Sequence, residues 1–151
     1  MQQFDQFYRT EYPGVFRAAF AFCGDRDMAQ DAVQEAFSRA LARWRRLEQH
    51  TWAGGWVMTT AFNLCRRGMK KRPPAEITPD RQEEPLHDRI DLVRALGRLP
   101  LRQRQAVILF YLADHPVSAV ADLMGLSEGA VKTHLSRARD ALRASLEVAD
   151  A

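Results

Sequence analysis

The chain of 151 residues contains few cysteines and no long apolar stretch. Its two cysteines, Cys23 and Cys65, are too few for a disulfide framework and are typical of a reducing compartment. The longest uninterrupted apolar run, residues 106–113, falls far short of the roughly 20 residues that cross a bilayer. The first five residues lack the basic and apolar segments of a secretory signal. These absences predict a cytoplasmic protein.

The groupings of residues that carry catalysis or bind metals are also missing from the sequence. The four histidines are scattered, and neither cysteine lies at zinc-ligand spacing from another cysteine or a histidine. There is no phosphate-binding glycine loop and no nucleophile elbow. We therefore predict no catalytic residue, metal, cofactor or small-molecule substrate, and we interpret both cysteines as inert buried thiols.

The small net charge of +3 conceals an uneven distribution along the chain. Residues 1–72 contain twelve Lys and Arg against seven Asp and Glu. Residues 73–90 contain two against five, and residues 91–151 contain eight against seven. A basic N-terminal half beside an acidic middle indicates a surface that meets a polyanion.

Helical periodicity recurs throughout the chain, whereas the alternation typical of strands never persists. We predict an all-α fold of two small helical domains, residues 1–72 and 90–151. The segment 73–89 between them is acidic and rich in proline, which predicts a flexible linker. The predicted helices cover residues 4–22, 27–44, 52–72, 90–99, 101–113, 117–124 and a last helix capped by Ser127. An interruption of the first helix is expected near Pro13.

The last two helices are separated by Gly125-Leu126-Ser127, a spacing that predicts a helix-turn-helix. In the final helix, Val131, Leu135 and Ala138 form the apolar stripe. The polar residues of the opposite side, with the capping serine, are the candidates for reading duplex DNA: Ser127, Lys132, Thr133, Ser136 and Arg137. An ordinary solvated helix face is the alternative.

Two further helical faces carry polar residues away from the predicted core. Along residues 52–72, an aromatic and polar stripe leads into a cluster of five cations within residues 66–72, a composition suited to single-stranded DNA. Its candidate residues are Trp56, Asn63, Arg66, Arg67 and Lys70. On the second helix, Asp31, Gln34 and Glu35 form an acidic and amide patch. Core packing of Trp56 and simple solvation of the acidic patch are the alternatives.

Four segments carry a family resemblance: DAVQEAF at 31–37, WVMTTAFNL at 56–64, LPLRQRQAV at 99–107 and GLSEGAVKTHLSRAR at 125–139. In these segments the chain resembles the extracytoplasmic-function (ECF) RNA polymerase sigma factors of the sigma-70 superfamily, actinobacterial sigma-E-like type. They are similar, in order, to region 2.2, regions 2.3 and 2.4, the start of region 4 and its helix-turn-helix. Several positions differ from residues common in the family, namely Pro116, Ala119, His134 and the paired glycines Gly54-Gly55 before Trp56.

The resemblance implies a role for each candidate surface. Asp31, Gln34 and Glu35 would dock on core RNA polymerase. The candidates from Trp56 to Lys70 would bind the non-template single strand of the promoter −10 element. The last helix would read the −35 element as duplex. An anti-sigma factor is a further partner that the resemblance implies.

Two other classes of protein remain as alternatives to a sigma factor. The segment 131–136 also resembles the helix-turn-helix of response-regulator output domains, so a stand-alone transcriptional regulator is the main one. Such a regulator would carry a strand-rich sensor or receiver domain, and residues 1–72 show no strand pattern. The other is an adaptor that docks on polymerase without promoter function.

Overall fold

The computed structural model describes residues 3–71 and 86–150. Within these ranges the regular structure is helical and contains no strand, which confirms the all-α prediction. Contacts divide the chain into two units, Met1–Ala75 (unit 1) and Glu76–Ala151 (unit 2). Residues 72–85 lie outside the described residues, and they include residues 73–85 of the predicted linker. No helix in the described ranges is long and apolar enough to cross a membrane.

Unit 1 is built from three long helices and one short one. They are α1 (Phe4–Cys23), α2 (Arg26–Ala42), α3 (Trp44–Leu47) and α4 (Ala53–Lys71). Each of the three long helices packs against the other two. The core between them holds Val15, Val33, Val57 and Phe62, all nearly inaccessible to solvent. This bundle fixes the outward faces of α2 and α4.

The expected interruption of α1 at Pro13 is absent. Proline removes one backbone donor from the helix, yet α1 continues unbroken from Phe4 to Cys23. Pro13 itself is exposed, so water can hydrate the carbonyl that loses its partner. Phe7 before the proline and Val15, Ala18 and Ala19 beyond it are buried, and this packing holds the helix on both sides of Pro13.

The second helix begins and ends close to its predicted bounds, with two differences. Asp25 caps it through its Oδ1, which accepts a hydrogen bond from the Met28 backbone N–H at 3.0 Å. The helical spacing from Phe37 predicts that Leu41 lies in the apolar stripe of α2, but 56% of it is exposed, because α2 ends at Ala42 as the chain turns into α3. Trp44 starts α3 and packs on Phe7, with ring centroids 4.8 Å apart.

Unit 2 contains four α-helices and a π-helical turn. They are α5 (Leu86–Gly97), α6 (Leu101–Val107), the turn Ile108–Leu112, α7 (Val117–Met124) and α8 (Glu128–Asp150). The first of these starts at Leu86, so it includes the end of the segment predicted as linker. The single long helix expected over 101–113 changes to π geometry at Ile108, where the Ala113 N–H donates to the Ile108 carbonyl at 3.0 Å. This wider turn leaves Tyr111 and Leu112 exposed.

A buried arginine joins the start of α6 to the end of α5. Arg104 is only 6% exposed, and its guanidinium donates to the carbonyls of Gly97 and Leu99 at 2.9 and 3.0 Å. A charged group is rarely buried unless its donors are satisfied. Arg104 therefore supplies hydrogen bonds to carbonyls at the end of α5 that the helix itself cannot satisfy.

Candidate nucleic-acid and partner interfaces

The helix-turn-helix of unit 2 forms as predicted. Gly125 ends α7 with a φ of 67°, a left-handed conformation that favours glycine. The next N–H, that of Leu126, donates to the Ala121 carbonyl at 2.9 Å. Ser127 then caps α8, its Oγ accepting from the Ala130 N–H at 3.1 Å. The left-handed glycine and the serine cap together set the direction of α8.

The outward face of α8 presents the predicted DNA-reading residues. Val131, Leu135 and Ala138 are buried against the rest of the unit, which turns the opposite side of the helix to solvent. The four candidates on that side are all exposed: Lys132, Thr133, Ser136 and Arg137. A helix of this kind, with short polar groups near its start and two cations on one side, suits insertion into a major groove.

Two candidate hydroxyls on this surface already take part in the local backbone structure. The Ser127 oxygen accepts the capping bond, which leaves its proton and one lone pair for a ligand. The Thr133 Oγ1 donates to the Gly129 carbonyl at 3.0 Å, which leaves its methyl group and its acceptor lone pairs outward. Ser127 therefore serves the fold as the predicted cap, as well as any ligand.

Some residues of the helix-turn-helix are not freely available for contact with DNA, including the two positions 119 and 134. Arg139 donates to the Tyr111 hydroxyl at 3.0 Å and so is engaged within the unit. His134 is half-buried. Ala119, which differs from the common residue of the family, is completely buried in α7. The side chain at that position contacts the interior of unit 2 and not a ligand.

The predicted stripe on α4 lies on the outer side of unit 1. Asn63, Arg66, Arg67 and Lys70 are exposed, and among the described residues no carboxylate forms an ion pair with the three cations. Trp56 lies at the other end of the stripe and is half-buried, between the two alternatives of core anchor and exposed ring. The residue is partly accessible to solvent, and the residues that follow it along α4 form a line of cationic side chains.

Arg43 was not identified from the sequence as part of this surface. Its guanidinium carbon lies 6.0 Å from the centre of the Trp56 ring, at the outer limit of a cation–π contact. Arg43 is itself exposed. The only signal for it was its place in the basic run 43–46, which gives no indication of the three-dimensional contact. The structure thus adds a cation beside the aromatic end of the stripe.

Gly54, the first of the paired glycines before Trp56, has a structural reason. A Cβ on Gly54 would lie 2.5 Å from the Glu11 Oε2, so a side chain there would displace the Glu11 carboxylate. Burial raises the pKa of Glu11 above its ordinary value. Gly54 therefore lets α1 place a partly desolvated carboxyl group against the first turn of α4, one turn from Trp56.

The acidic and amide patch predicted on α2 is exposed to solvent. Asp31, Gln34 and Glu35 all point to solvent, while the residues between them are buried. The contacts of this face are peripheral: the Gln34 amide donates to the Tyr8 hydroxyl at 3.3 Å, and Glu35 pairs with Arg39 at 3.1 Å.

A groove of about 280 Å³ runs beside this face, between α2 and α4. Its lining includes the carboxylates of Asp31 and Glu35 on one side and Lys71 on the other. The exposed Leu41 extends the same side of α2. The structure therefore presents a helix face with both polar and apolar residues. Protein–protein interfaces commonly combine the two in this way, with a polar rim around an apolar centre.

The described residues contain no group of three or more His, Cys, Asp or Glu placed to hold a metal ion. The surfaces of the two units instead consist of helix faces with polar, cationic and aromatic side chains. Those features define a helical DNA-binding protein with one helix-turn-helix unit.

Comparisons with known proteins identify both units. Residues 7–73 match the family model of sigma-70 region 2, and residues 89–142 match that of sigma-70 region 4. The ECF RNA polymerase sigma factor EcfG of Rhodopseudomonas palustris is 30% identical over 146 residues, covering 90% of this chain and 81% of that protein. The RNA polymerase sigma-E factor of Streptomyces coelicolor is 28% identical over 156 residues, covering 98% of this chain and 88% of that protein.

A solved structure has the same fold. The sigma factor RpoE of Bartonella quintana, solved in complex with the anti-sigma factor NepR, superposes with a TM-score of 0.81. Its sequence identity is 24%, over 96% of this chain and 97% of that chain. The chain belongs to the ECF group of RNA polymerase sigma factors. The response-regulator alternative is therefore set aside.

Proposed function

We propose that this sigma factor binds core RNA polymerase and directs it to a set of promoters by dividing recognition between its two units. Residues 1–72 would dock on the polymerase and hold the opened −10 element. Residues 90–151 would read the −35 element as duplex, and residues 73–89 would link the two. The chain would act in the cytoplasm, by binding and strand opening, without bond chemistry of its own.

The α4 stripe suits a single strand better than a duplex. An unpaired base offers a π-face that can stack on the accessible part of Trp56, a contact worth about 1–3 kcal/mol. Arg43 adds a cation beside that ring. Asn63, Arg66, Arg67 and Lys70 follow along the same helix at a spacing that can track the phosphates of one strand. Opening a base costs a few kcal/mol, which contacts of this size can offset.

The α8 face suits the major groove of intact duplex. Arg137 and Lys132 can reach guanine edges or phosphates, and the outward methyl group of Thr133 can contact a thymine methyl. The capped start of α8 also directs backbone donors of its first turn outward, where phosphate groups bind.

The α2 face is the proposed docking site for core polymerase. Asp31, Gln34 and Glu35 are exposed and are held only by peripheral contacts, so a partner can engage them without disturbing the core. The relative of Bartonella quintana was solved with an anti-sigma factor. We propose that a protein of that class also binds the present chain and competes with polymerase.

One observation carries the proposal: a single chain exposes a helix-turn-helix face and, on a separate unit, an aromatic and cationic stripe. A duplex reader alone has no use for the second surface. Joining two weak contacts by a linker raises the effective concentration of the second after the first has formed. Promoter selection would therefore need both units together.

Run-off transcription with purified core polymerase and a promoter library tests the proposal.

A second experiment measures binding of a −35 duplex probe. Arg137→Ala should lower this binding by about 10-fold, since one good base contact is worth roughly 1–3 kcal/mol. Arg143→Ala is the matched control, because it removes an exposed arginine further along the same helix. It should leave −35 binding within about 2-fold of wild type.

The outcomes separate the proposal from its rivals. Promoter-specific run-off products that require both the chain and core polymerase would support it. Binding to palindromic DNA as a dimer, with no association with core polymerase, would instead identify a stand-alone regulator. Association with core polymerase without any promoter-directed product would identify an adaptor.

A further inference from the structure

The two cysteines of the chain, far apart in sequence, meet inside unit 1. Cys23 is the last residue of α1, and Cys65 lies in α4, which packs against α1. The two thiols interact through a side-chain hydrogen bond, and the Cys23 Sγ also donates to the Asp25 backbone carbonyl at 3.3 Å. Beside them, the rings of Phe22 and Phe62 stack with centroids 4.8 Å apart, which fixes the two helices at this point. The interpretation of both cysteines as inert buried thiols gives no indication that the two meet, and Cys23 is only partly buried.

The two sulfurs differ in access and in charge preference. Cys65 is completely buried, whereas Cys23 is partly exposed. The hydrogen bond from Cys65 lowers the pKa of Cys23, outweighing burial and the nearby Asp25 charge, which oppose it. The hydrogen bond to Cys23, together with burial, raises the pKa of Cys65. A partly exposed thiol with a lowered pKa thus lies next to a buried thiol with a raised pKa, as in a reactive and a resolving cysteine.

We propose that Cys23 and Cys65 are a peroxide-sensitive thiol pair that closes to an intramolecular disulfide. The Cys23 thiolate attacks one oxygen of hydrogen peroxide; an S–O bond forms, the O–O bond breaks, and hydroxide leaves and takes up a proton. Cys65 then gives up its proton and attacks the sulfenic sulfur of Cys23. The S–S bond forms, the S–O bond breaks, and the oxygen leaves as water. In total, two thiols and one peroxide give one disulfide and two waters.

The position of Cys23 at a helix end permits the approach that the bond requires. A disulfide brings the sulfurs to about 2.05 Å, closer than a hydrogen-bonded pair. Cys65 is fixed in the middle of α4, but Cys23 is followed by Gly24, which ends α1 with a φ of 70°. Helix ends open at low cost compared with helix interiors, so Cys23 is the partner that moves. The bond would join the end of α1 to α4 directly before Arg66.

Peptide mapping of the full-length protein tests the proposal directly. The reduced protein is treated with hydrogen peroxide, alkylated under denaturing conditions and digested with trypsin without a reductant. Trypsin cleaves after Arg17 and Arg26 around Cys23, and after Arg46 and Arg66 around Cys65. We expect a linked species of peptides 18–26 and 47–66, with the intact mass lowered by two hydrogens. Dithiothreitol should release the two peptides.

The variants C23S and C65S are matched controls, since each removes one sulfur and keeps a small side chain. C65S should allow Cys23 to proceed to sulfinic or sulfonic acid, because the resolving thiol is gone. C23S should leave the buried Cys65 unmodified. Circular dichroism checks that both variants fold, and the wild-type peptide map decides the question even if one does not.

Three results would overturn the proposal. They are an unmodified protein after treatment, over-oxidation of wild-type Cys23 without the linked peptide, and disulfides only between molecules. All three readouts are chemical and need neither polymerase nor promoter, so they are independent of the function proposed above.

Discussion

The exposed face of α2 allows a test that separates partner binding from folding. Replacing Gln34 and Glu35 with alanine removes a 3.3 Å hydrogen bond to Tyr8 and the ion pair with Arg39. That pair joins side chains that are 54% and 40% exposed, and such pairs contribute about 0.3–0.5 kcal/mol. Alanine recovers a few tenths of a kcal/mol through its helix propensity. The free energy of unfolding should therefore change by less than about 0.5 kcal/mol, and Tm by less than about 4 °C.

Binding to core polymerase should respond much more strongly. If the face is the docking site, truncating a central contact costs about 2 kcal/mol or more, which corresponds to about 30-fold in Kd. Fluorescence anisotropy of labelled protein titrated with core polymerase measures this directly. The control is the double variant Asp5→Ala and Gln6→Ala, which removes an exposed acid and amide from α1 of the same unit. The control should bind as wild type does.

Three results would refute this reasoning in different ways. Unchanged polymerase affinity of the Gln34 and Glu35 double variant would show that the α2 face does not dock. A Tm loss well beyond 4 °C would show that these contacts support the fold more than exposed pairs do. Equal affinity losses in the variant and the Asp5 and Gln6 control would attribute the effect to net charge alone.

Three further substitutions test individual features. Trp56→Ala should impair promoter opening in permanganate footprinting and leave −35 duplex binding intact, whereas unfolding of unit 1 would show that its ring is a core anchor. Glu11→Gln should raise Tm at pH 7, because burial raises the pKa of Glu11 and the fold therefore favours the protonated carboxyl group. The gain in Tm should fade toward about pH 4, where the carboxyl group of the wild type is protonated as well. A gain that does not depend on pH contradicts this. Arg104→Met should cost about 2–4 kcal/mol in urea unfolding, since it leaves the Gly97 and Leu99 carbonyls without their donor; a loss below about 1 kcal/mol contradicts this.

The sequence predicts those parts of the fold whose signals are local. Ser127 as a cap and Gly125 as a helix end each depend on one turn of backbone, and both predictions are confirmed. Periodicity likewise identifies the buried side of α8 and, by elimination, its exposed face. The resemblance then identifies the family, which periodicity alone cannot do.

The features that the sequence does not reveal all depend on packing between helices. Arg43 meets Trp56, Glu11 meets Gly54 and Cys23 meets Cys65 only after the bundle has assembled. The continuity of α1 through Pro13 has the same cause, because burial on both sides outweighs a local helix-breaking residue.

The balance of charge in the C-terminal half is explained by where its cations lie. Residues 91–151 carry eight Lys and Arg, but Arg104 is buried, Arg139 holds the Tyr111 hydroxyl and Arg98 holds Ser145. Few cations therefore remain on the α8 face, chiefly Lys132 and Arg137. Each phosphate that a protein neutralises contributes about −0.9 to the slope of log K against log salt concentration. With so few cations on the α8 face, this half alone has a small electrostatic attraction to DNA. Under the proposed division of recognition, this half would select promoters only together with unit 1, whose basic α4 stripe would supply the general attraction to nucleic acid.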